Sequence, residues 1–426
     1  MFSSLRAAAS WRHLLGSSLA ALALSAHSAD PGLSYERALQ LAQEQSAMLR
    51  ARRASAEGAS ALEVSAAQLP DPKLAAGIDN LPINSADRFS LTRDFMTMRQ
   101  IGWMQDMPNA DKRKARGEIA AARTSRERAQ LASERVMVER GASQAWLARY
   151  YAEQRLSAFG ALDAENRLLR DTVNARVASG RAMPADAAMV RQESVALDDR
   201  RDELERDVAK ARAALRRWLG NTADEPLSGE PPSLQTQIDK LRGDTASGRL
   251  ERHAELVTFA PMIEMARAEG REAEAAKKGD WSWGVMLSKR GPAFSDMVSL
   301  QVSFELPLWA DKRQDPQIEA RRKDVERIEA EREEMRRRLV LEIETQLAEE
   351  AELERKLARL RSRSVPLAEE RVSLTLASYQ AGRGDLGAVL ASRKELVETR
   401  LRAIDIAAQR AALRAQLNTH FLKDHP

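Results

Sequence analysis

The chain has 426 residues, of which 43% are hydrophobic, 31% are charged and only 4% are aromatic. Its net charge of +4 arises from interleaved charges of both signs, which indicates solvated helix faces rather than a nucleic-acid-binding patch. The absence of cysteine excludes disulfides, thiolate metal sites, cysteine catalysis and lipidation of an N-terminal cysteine.

The first residues are typical of a secretory signal peptide. Arg6 and Arg12 supply the positive region, residues 14–24 the apolar region, and Ala26-His27-Ser28 a small-x-small cleavage site. The sequence therefore predicts a signal peptide over residues 1–28. A short N-terminal anchor helix is the alternative, although the apolar run is short for a membrane span.

Residues 29–220 are predicted to form a first structural repeat. Ser34 is the expected N-cap of a helical pattern that Pro70 and Pro72 end. Two strands, a helix about 100 Å long and a further helix follow. The predicted ranges are strands over about 72–80 and 95–107, and helices over about 111–178 and 184–219.

Residues 221–250 are rich in Gly, Pro, Ser and Thr and are predicted to be a linker. Residues 251–426 then repeat the order of the first repeat, beginning with a helical pattern over 251–278. The further predicted ranges are strands over about 280–289 and 296–307, and helices over about 314–379 and 386–421.

Two landmarks support an internal duplication. Ala110-Asp111-Lys112-Arg113 and Ala310-Asp311-Lys312-Arg313 each precede or open a long helical pattern. Gly180-Arg181 and Gly382-Arg383 interrupt the two patterns at nearly the same offset, so the two halves are predicted to be structural repeats.

The last two strands alternate apolar and polar residues with period two, which predicts one apolar and one polar face. The apolar phase is expected to face lipid. Its residues are Trp281, Trp283, Val285, Leu287, Val298, Leu300, Val302, Phe304 and Leu306.

Four amphipathic strands per chain are too few for a membrane barrel, since single-chain barrels have at least eight strands. Open strand edges are not tolerated in lipid. The strands are therefore predicted to close by oligomerisation, with eight strands from two chains or twelve from three. The fold class is mainly α, with a small transmembrane β-barrel contribution.

The chain resembles the TolC-type outer-membrane efflux channels, the outer membrane factors of tripartite export systems. The resemblance implies a homotrimer in outer-membrane lipid, with a twelve-stranded barrel and a long α-helical barrel in the periplasm. It further implies a passive duct without a cofactor that works with a periplasmic adaptor and an inner-membrane RND-type pump. The segments that carry it are residues 33–42, Leu69-Pro70-Asp71-Pro72, Glu305-Leu306-Pro307-Leu308 and residues 378–383.

The resemblance places adaptor docking at the helix breaks, where the alternative is a plain helix–helix turn. The predicted docking residues are Gly180, Arg181, Ala381, Gly382 and Arg383. Asp186 and Asp385 follow the breaks, and each is either part of a charged gate or a solvated carboxylate at a helix start.

No catalytic constellation is present in the sequence: the five histidines lack motif-spaced partners, and P-loop, dinucleotide and HExxH motifs are missing. An enzyme is not expected. Met96, Met98, Met104 and Met107 crowd one strand, where ordinary packing is favoured over soft-metal ligation. Residues 88–98 most resemble the channels of heavy-metal exporters. A periplasmic adaptor and a soluble coiled-coil scaffold are the alternative functions.

Overall fold

The computed structural model describes residues 32–234 and 250–419. The predicted signal peptide over 1–28 lies outside the described residues. The helices are α1 (Tyr35–Gln45), α2 (Ala47–Ala66), α3 (Ala110–Ala178), α4 (Pro184–Leu219), α5 (Phe259–Ala275), α6 (Gln314–Arg359), α7 (Val365–Gln380) and α8 (Leu386–Asn418). The strands are β1 (Lys73–Asp79), β2 (Met98–Met107), β3 (Trp281–Lys289) and β4 (Met297–Phe304).

Serine residues cap the first two helices. Ser34 Oγ accepts the backbone N–H of Arg37 at 3.2 Å, and Ser46 Oγ accepts that of Leu49 at 3.2 Å. Each bond satisfies a donor that the first helical turn leaves free. The predicted cap at Ser34 is confirmed, but the single helix expected to follow it is divided at Ser46.

The 69-residue helix α3 is the central element of the fold. At 1.5 Å per residue it is about 100 Å long. It packs against α2, α4, α5 and α8, so it contacts elements from both halves of the sequence. The predicted long helix is therefore present, and the second half of the chain is assembled on it.

The largest hydrophobic cluster surrounds Trp146, where α1 meets α3 and α4. The Trp146 ring is fully buried, stacks on Tyr150 at a centroid distance of 5.4 Å and meets Tyr35 edge-on at 5.5 Å. Its Nε1–H donates to the carbonyl of Leu33 at 3.1 Å, which satisfies the only polar atom of the indole. These contacts fix the start of the described chain against α3.

The four strands form one antiparallel sheet in the order β1-β2-β3-β4. The central pairing joins β2 of the first half to β3 of the second. Long helices together with a four-stranded antiparallel sheet confirm the predicted fold class for the single chain.

The second half departs from the predicted helix ranges at two places. Leu250–Arg252 form a 3₁₀ turn and α5 begins only at Phe259, although a helix was predicted from residue 251. The reason is that the N–H of Glu255 is bonded at 3.1 Å to Nδ1 of His253, whose imidazole is held in a buried position, instead of to a helical carbonyl.

The second departure is a π turn at Leu360–Ser364, which separates α6 from α7 within the predicted helix 314–379. Pro366 follows this turn and has no N–H, and its ring would clash with the carbonyl of Ser362 in a regular helix. The wider turn, with the N–H of Val365 bonded to the carbonyl of Leu360, accommodates the proline without ending the helical path.

A buried ion network joins α6 to α8. The carboxylate of the fully buried Glu350 accepts hydrogen bonds from Nε of Arg410 at 3.1 Å and from Nε of Arg414 at 2.8 Å. Burial opposes ionisation of Glu350, but the two guanidinium groups hold its pKa below the usual value. Nη1 of Arg414 also donates to the carbonyl of Ser233, which ties the segment after α4 to this network.

Candidate functional site

The first Gly-Arg break ends α3 in a Schellman motif. Gly180 has a φ of +68°, the left-handed conformation that glycine adopts without strain. Its N–H donates to the carbonyl of Val177 at 3.0 Å, and the N–H of Arg181 donates to that of Arg176 at 2.8 Å. This pair of bonds satisfies two carbonyls that the helix end leaves free.

The second break has the same geometry. Gly382 has a φ of +74°, its N–H donates to the carbonyl of Tyr379 at 3.0 Å, and the N–H of Arg383 donates to that of Ser378 at 3.0 Å. Ala381 is the C-cap of α7. The repeated sequence therefore folds into a repeated motif, and both glycines are required by backbone conformation.

The two turns lie side by side and are called here the tip, defined as residues 179–186 and 381–385. Beneath them the two halves share one apolar cluster, and the guanidinium of Arg176 lies 4.8 Å from the ring centroid of Tyr379. The structure thus brings together the residues predicted at the two breaks. The buried members of the cluster are Leu169, Val173, Val190, Tyr379, Leu386 and Val389.

The charged residues of the tip differ in their surroundings. Oδ2 of Asp186 accepts the N–H of Met183 at 3.0 Å, so this half-buried carboxylate caps the start of α4. Asp385 is the exposed N-cap residue of α8 and makes no side-chain cap bond. Arg181 and Arg383 are both exposed. The tip consequently presents on its surface the two guanidinium groups and the carboxylate of Asp385, which makes no capping hydrogen bond.

At the strand end of the helices, the sheet register collects the apolar residues on one face, called here the apolar face. Trp283 lies opposite Val302, and Val285 lies between Trp103 and Leu300. Residues that are directly opposite share a face of the sheet. The apolar face comprises Leu74, Ala76, Ile78, Ile101, Trp103, Met107, Trp281, Trp283, Val285, Leu287, Val298, Leu300, Val302 and Phe304, together with the polar residues Arg99, Gln105 and Lys289.

The apolar face is not covered by any described part of the chain. Val298, Leu300 and Phe304 are 71%, 73% and 69% exposed, far more than core residues. A contiguous exposed apolar surface of this kind marks an interaction with a membrane or another protein. Leu306 is a correction to the prediction, because β4 ends at Phe304 and Leu306 lies beyond the strand.

The opposite side of the sheet, called here the polar face, is lined mainly by small and polar residues. Ser282 lies opposite Ser303, and Gly284 lies opposite Gln301. Its members are Lys73, Ala75, Gly77, Asp79, Met98, Gln100, Gly102, Met104, Asp106, Ser282, Gly284, Met286, Ser288, Met297, Ser299, Gln301 and Ser303.

A polar junction between sheet and helices involves residues to which the sequence analysis assigned no role. Asn109 caps α3 by accepting the N–H of Lys112 at 2.8 Å, and its own N–H donates to Asp280 at 3.0 Å. Nζ of Lys112 lies 2.8 Å from Oδ2 of Asp280. Burial opposes ionisation of Asp280, but the bonds from Lys112 and Asn109 hold its pKa below the usual value. The Ala-Asp-Lys-Arg repeat was the available signal for this junction.

Neither a protein-family model nor a curated protein matches the chain. Solved structures do match, with 11–16% sequence identity. CusC, whose crystal structures concern the conformational changes that accompany folding and transmembrane channel formation, has 15% identity and a TM-score of 0.73, over 91% of each chain. The outer membrane protein VceC from Vibrio cholerae has 16% identity and a TM-score of 0.72, over 91% of this chain and 97% of VceC.

The outer membrane channel CmeC from Campylobacter jejuni has 11% identity and a TM-score of 0.73, over 92% of this chain and 87% of CmeC. The chain has the fold of an outer-membrane channel. The resemblance stated from the sequence is confirmed at the level of the fold.

Within residues 32–234 and 250–419, no helix is both long and apolar enough to cross a membrane. Across the same residues, no group of three or more His, Asp or Glu side chains is arranged to hold a metal ion.

Proposed function

We propose that the protein is the outer-membrane channel of a tripartite efflux system, acting as a passive homotrimeric duct. One observation carries the proposal. A four-stranded sheet with an uncovered apolar face continues directly into helices about 100 Å long. The sheet is suited to lipid on one face and to water on the other, while the helices extend the duct into the periplasm.

The number of strands supports oligomerisation. In the described chain β1 and β4 are the edge strands of the sheet, and each has one unpaired edge. Open edges are not tolerated in lipid, and four strands cannot form a barrel alone. Three chains provide twelve strands, so β4 of one chain would pair with β1 of the next and leave no edge.

The tip is the proposed docking site for a periplasmic adaptor, which would connect the duct to an inner-membrane RND-type pump. Exposed Arg181 and Arg383 offer hydrogen-bond donors at the end opposite the sheet. Asp385 in three chains would form a ring of carboxylates that favours cations at a gate. Asp186 is a weaker gate candidate because it already caps α4.

Two alternative functions fit the structure less well. A soluble coiled-coil scaffold has no use for an exposed face that carries Trp103, Trp281 and Phe304. A periplasmic adaptor has a single helical hairpin, whereas the tip joins two hairpins of comparable architecture. Location in the outer-membrane fraction would separate the proposed channel from both alternatives.

The test uses two arginine substitutions at adjacent positions. Val302→Arg places a charge on the apolar face and should cost about 2–4 kcal/mol per chain if the residue lies near mid-membrane. Ser303→Arg, the matched control, places the same charge on the polar face. We expect wild type and Ser303→Arg to fractionate with the outer membrane, to have a trimeric mass in detergent and to conduct ions in planar bilayers. Val302→Arg should assemble poorly. A soluble wild-type monomer, or equal assembly of the two variants, would contradict the proposal.

A further inference from the structure

The sheet register divides the strand methionines between the two faces. Met107 lies opposite Trp281 on the apolar face. Met98, Met104, Met286 and Met297 instead lie on the polar face, the last three among Gly, Ser and Gln residues. The apolar face is built mainly from Leu, Ile, Val and Trp, so four of the five strand methionines are placed where burial in an apolar environment does not explain them.

Met104, Met286 and Met297 form a diagonal line across three adjacent strands, called here the thioether diagonal. Met104 on β2 lies opposite Gly284, two residues from Met286 on β3. Met286 lies opposite Ser299, two residues from Met297 on β4. Diagonal neighbours in an antiparallel sheet are about 7–8 Å apart, within reach of two long, flexible side chains. Each step to the next strand shifts in the same direction along the sheet.

Glycines opposite the methionines leave space for the side chains. Cγ of Met104 lies 3.1 Å from the position that a Cβ would take at Gly284, and Cε of Met286 lies 3.4 Å from that position at Gly102. A larger residue at either glycine would crowd the thioether. Met104 and Met297 remain 37% and 47% exposed, so their sulfur-bearing side chains are accessible from the polar side.

We propose that the thioether diagonal is a transient binding site for soft monovalent metal cations, Cu(I) or Ag(I), inside the barrel. Thioether sulfur is a soft ligand that selects such ions over Mg²⁺ or Ca²⁺. The ligands carry no charge, so binding is coordination only, with the metal exchanging water for sulfur and no change of oxidation state. The inference rests on the proposed channel and deepens it by naming a class of cargo.

Neutral ligands also suit a duct. A site within a conduction path must bind the ion favourably enough for the ion to enter and weakly enough for the ion to leave. Three thioethers per chain, repeated around a trimer, offer several equivalent weak sites at neighbouring heights of the barrel. A cation can pass between them without the tight capture that a charged thiolate cluster would impose.

The test is a titration of the purified full-length trimer with silver nitrate in chloride-free detergent buffer. The protein carries ¹³C-methyl methionine, and single Met→Leu variants assign the signals. We expect the methyl signals of Met104, Met286 and Met297 to shift together and saturate, while that of Met107 stays in place. The combined variant Met104→Leu, Met286→Leu and Met297→Leu should bind Ag⁺ at least about tenfold more weakly by calorimetry, because leucine keeps the volume and removes the sulfur. Met107→Leu is the matched control and should bind as wild type does.

Conductance in KCl separates this inference from the proposed function. Wild type and the triple leucine variant should conduct K⁺ equally, because potassium does not use sulfur ligands. If both conduct but the triple variant binds Ag⁺ as tightly as wild type, the thioether diagonal is refuted while the channel stands. An equal response of Met107 would also refute it. If wild type forms neither trimers nor conducting pores, the proposed function fails whatever the silver titration shows.

Discussion

At the scale of single residues, the buried imidazole of His253 makes stability depend on pH. Burial, together with nearby Arg140, lowers the pKa of His253 from 6.5 to about 4. Between these values the unfolded chain binds more protons than the folded chain, so stability falls as the pH is lowered. The full loss amounts to about 3 kcal/mol per chain.

The prediction is a lower thermal midpoint of the detergent-solubilised protein at pH 4.5 than at pH 7. His253→Gln cannot titrate and should flatten this pH dependence, whatever its effect on the midpoint at pH 7. Glu350, whose pKa is lowered in the folded chain, also loses its stabilising contribution as the pH falls, but it is present in wild type and in His253→Gln, so the difference between the two pH dependences reports His253. An unchanged slope in His253→Gln would show that the pKa of the imidazole is not lowered in the folded chain.

Single residues also show where sequence reasoning was sufficient. The alternation of Val298, Leu300, Val302 and Phe304 correctly separated two faces of β4, because side-chain direction follows from the period of a strand alone. The same period puts Met104 and Met107 on opposite faces of β2, because they are three residues apart. Their neighbours were not predictable in the same way, and only the pairing with β3 placed Met104 beside Gly284 and Met107 beside Trp281.

At the scale of elements, the Schellman motifs at the tip explain why both breaks contain glycine. Replacing Gly382 by alanine forces an L-residue into a φ of +74° and should destabilise the turn by about 1–2 kcal/mol. Gly160→Ala is the matched control: Gly160 lies within α3 with open space around its Cα, so alanine should stabilise that helix by about 0.5–1 kcal/mol.

The measurements are thermal midpoints and crosslinking to the periplasmic adaptor. We expect opposite shifts of the midpoint in the two variants, and loss of crosslinking only in Gly382→Ala. Normal crosslinking in a destabilised Gly382→Ala would show that the turn geometry is not needed for docking and that the tip is only a helix–helix turn. Equal midpoints would indicate that the backbone at residue 382 relaxes out of the left-handed conformation.

The element ranges show why some boundaries escape a sequence pattern. The helix expected from residue 251 fails because the side chain of His253 bonds to a nearby backbone N–H. The π turn before α7 depends on Pro366, whose effect on a long helix is a kink, a break or a wider turn according to its packing. Both outcomes depend on tertiary contacts, whereas the Gly-Arg breaks are decided locally by glycine and were found at the correct residues.

At the scale of the whole molecule, the two open edges of the sheet allow the assembly of chains to be tested with engineered disulfides. β1 and β4 are three strand spacings apart, or about 14 Å, so a disulfide between them within one chain is excluded by geometry. The natural chain contains no cysteine that would interfere. Any disulfide between these strands therefore reports contact between chains.

The last prediction uses this geometry. Ala75→Cys on the polar face of β1 is combined in turn with Ser299→Cys, Gln301→Cys or Ser303→Cys on the polar face of β4, which scans the unknown register between chains. We expect at least one pair to give disulfide-linked dimers and trimers on a denaturing gel, and no larger species, since a ring of three chains has no free edge. Ala75→Cys with Leu300→Cys places the thiols on opposite faces and should not link. A ladder extending beyond trimers would indicate an open strand-by-strand polymer, and the absence of links in every register would remove the edge-to-edge closure on which the duct depends.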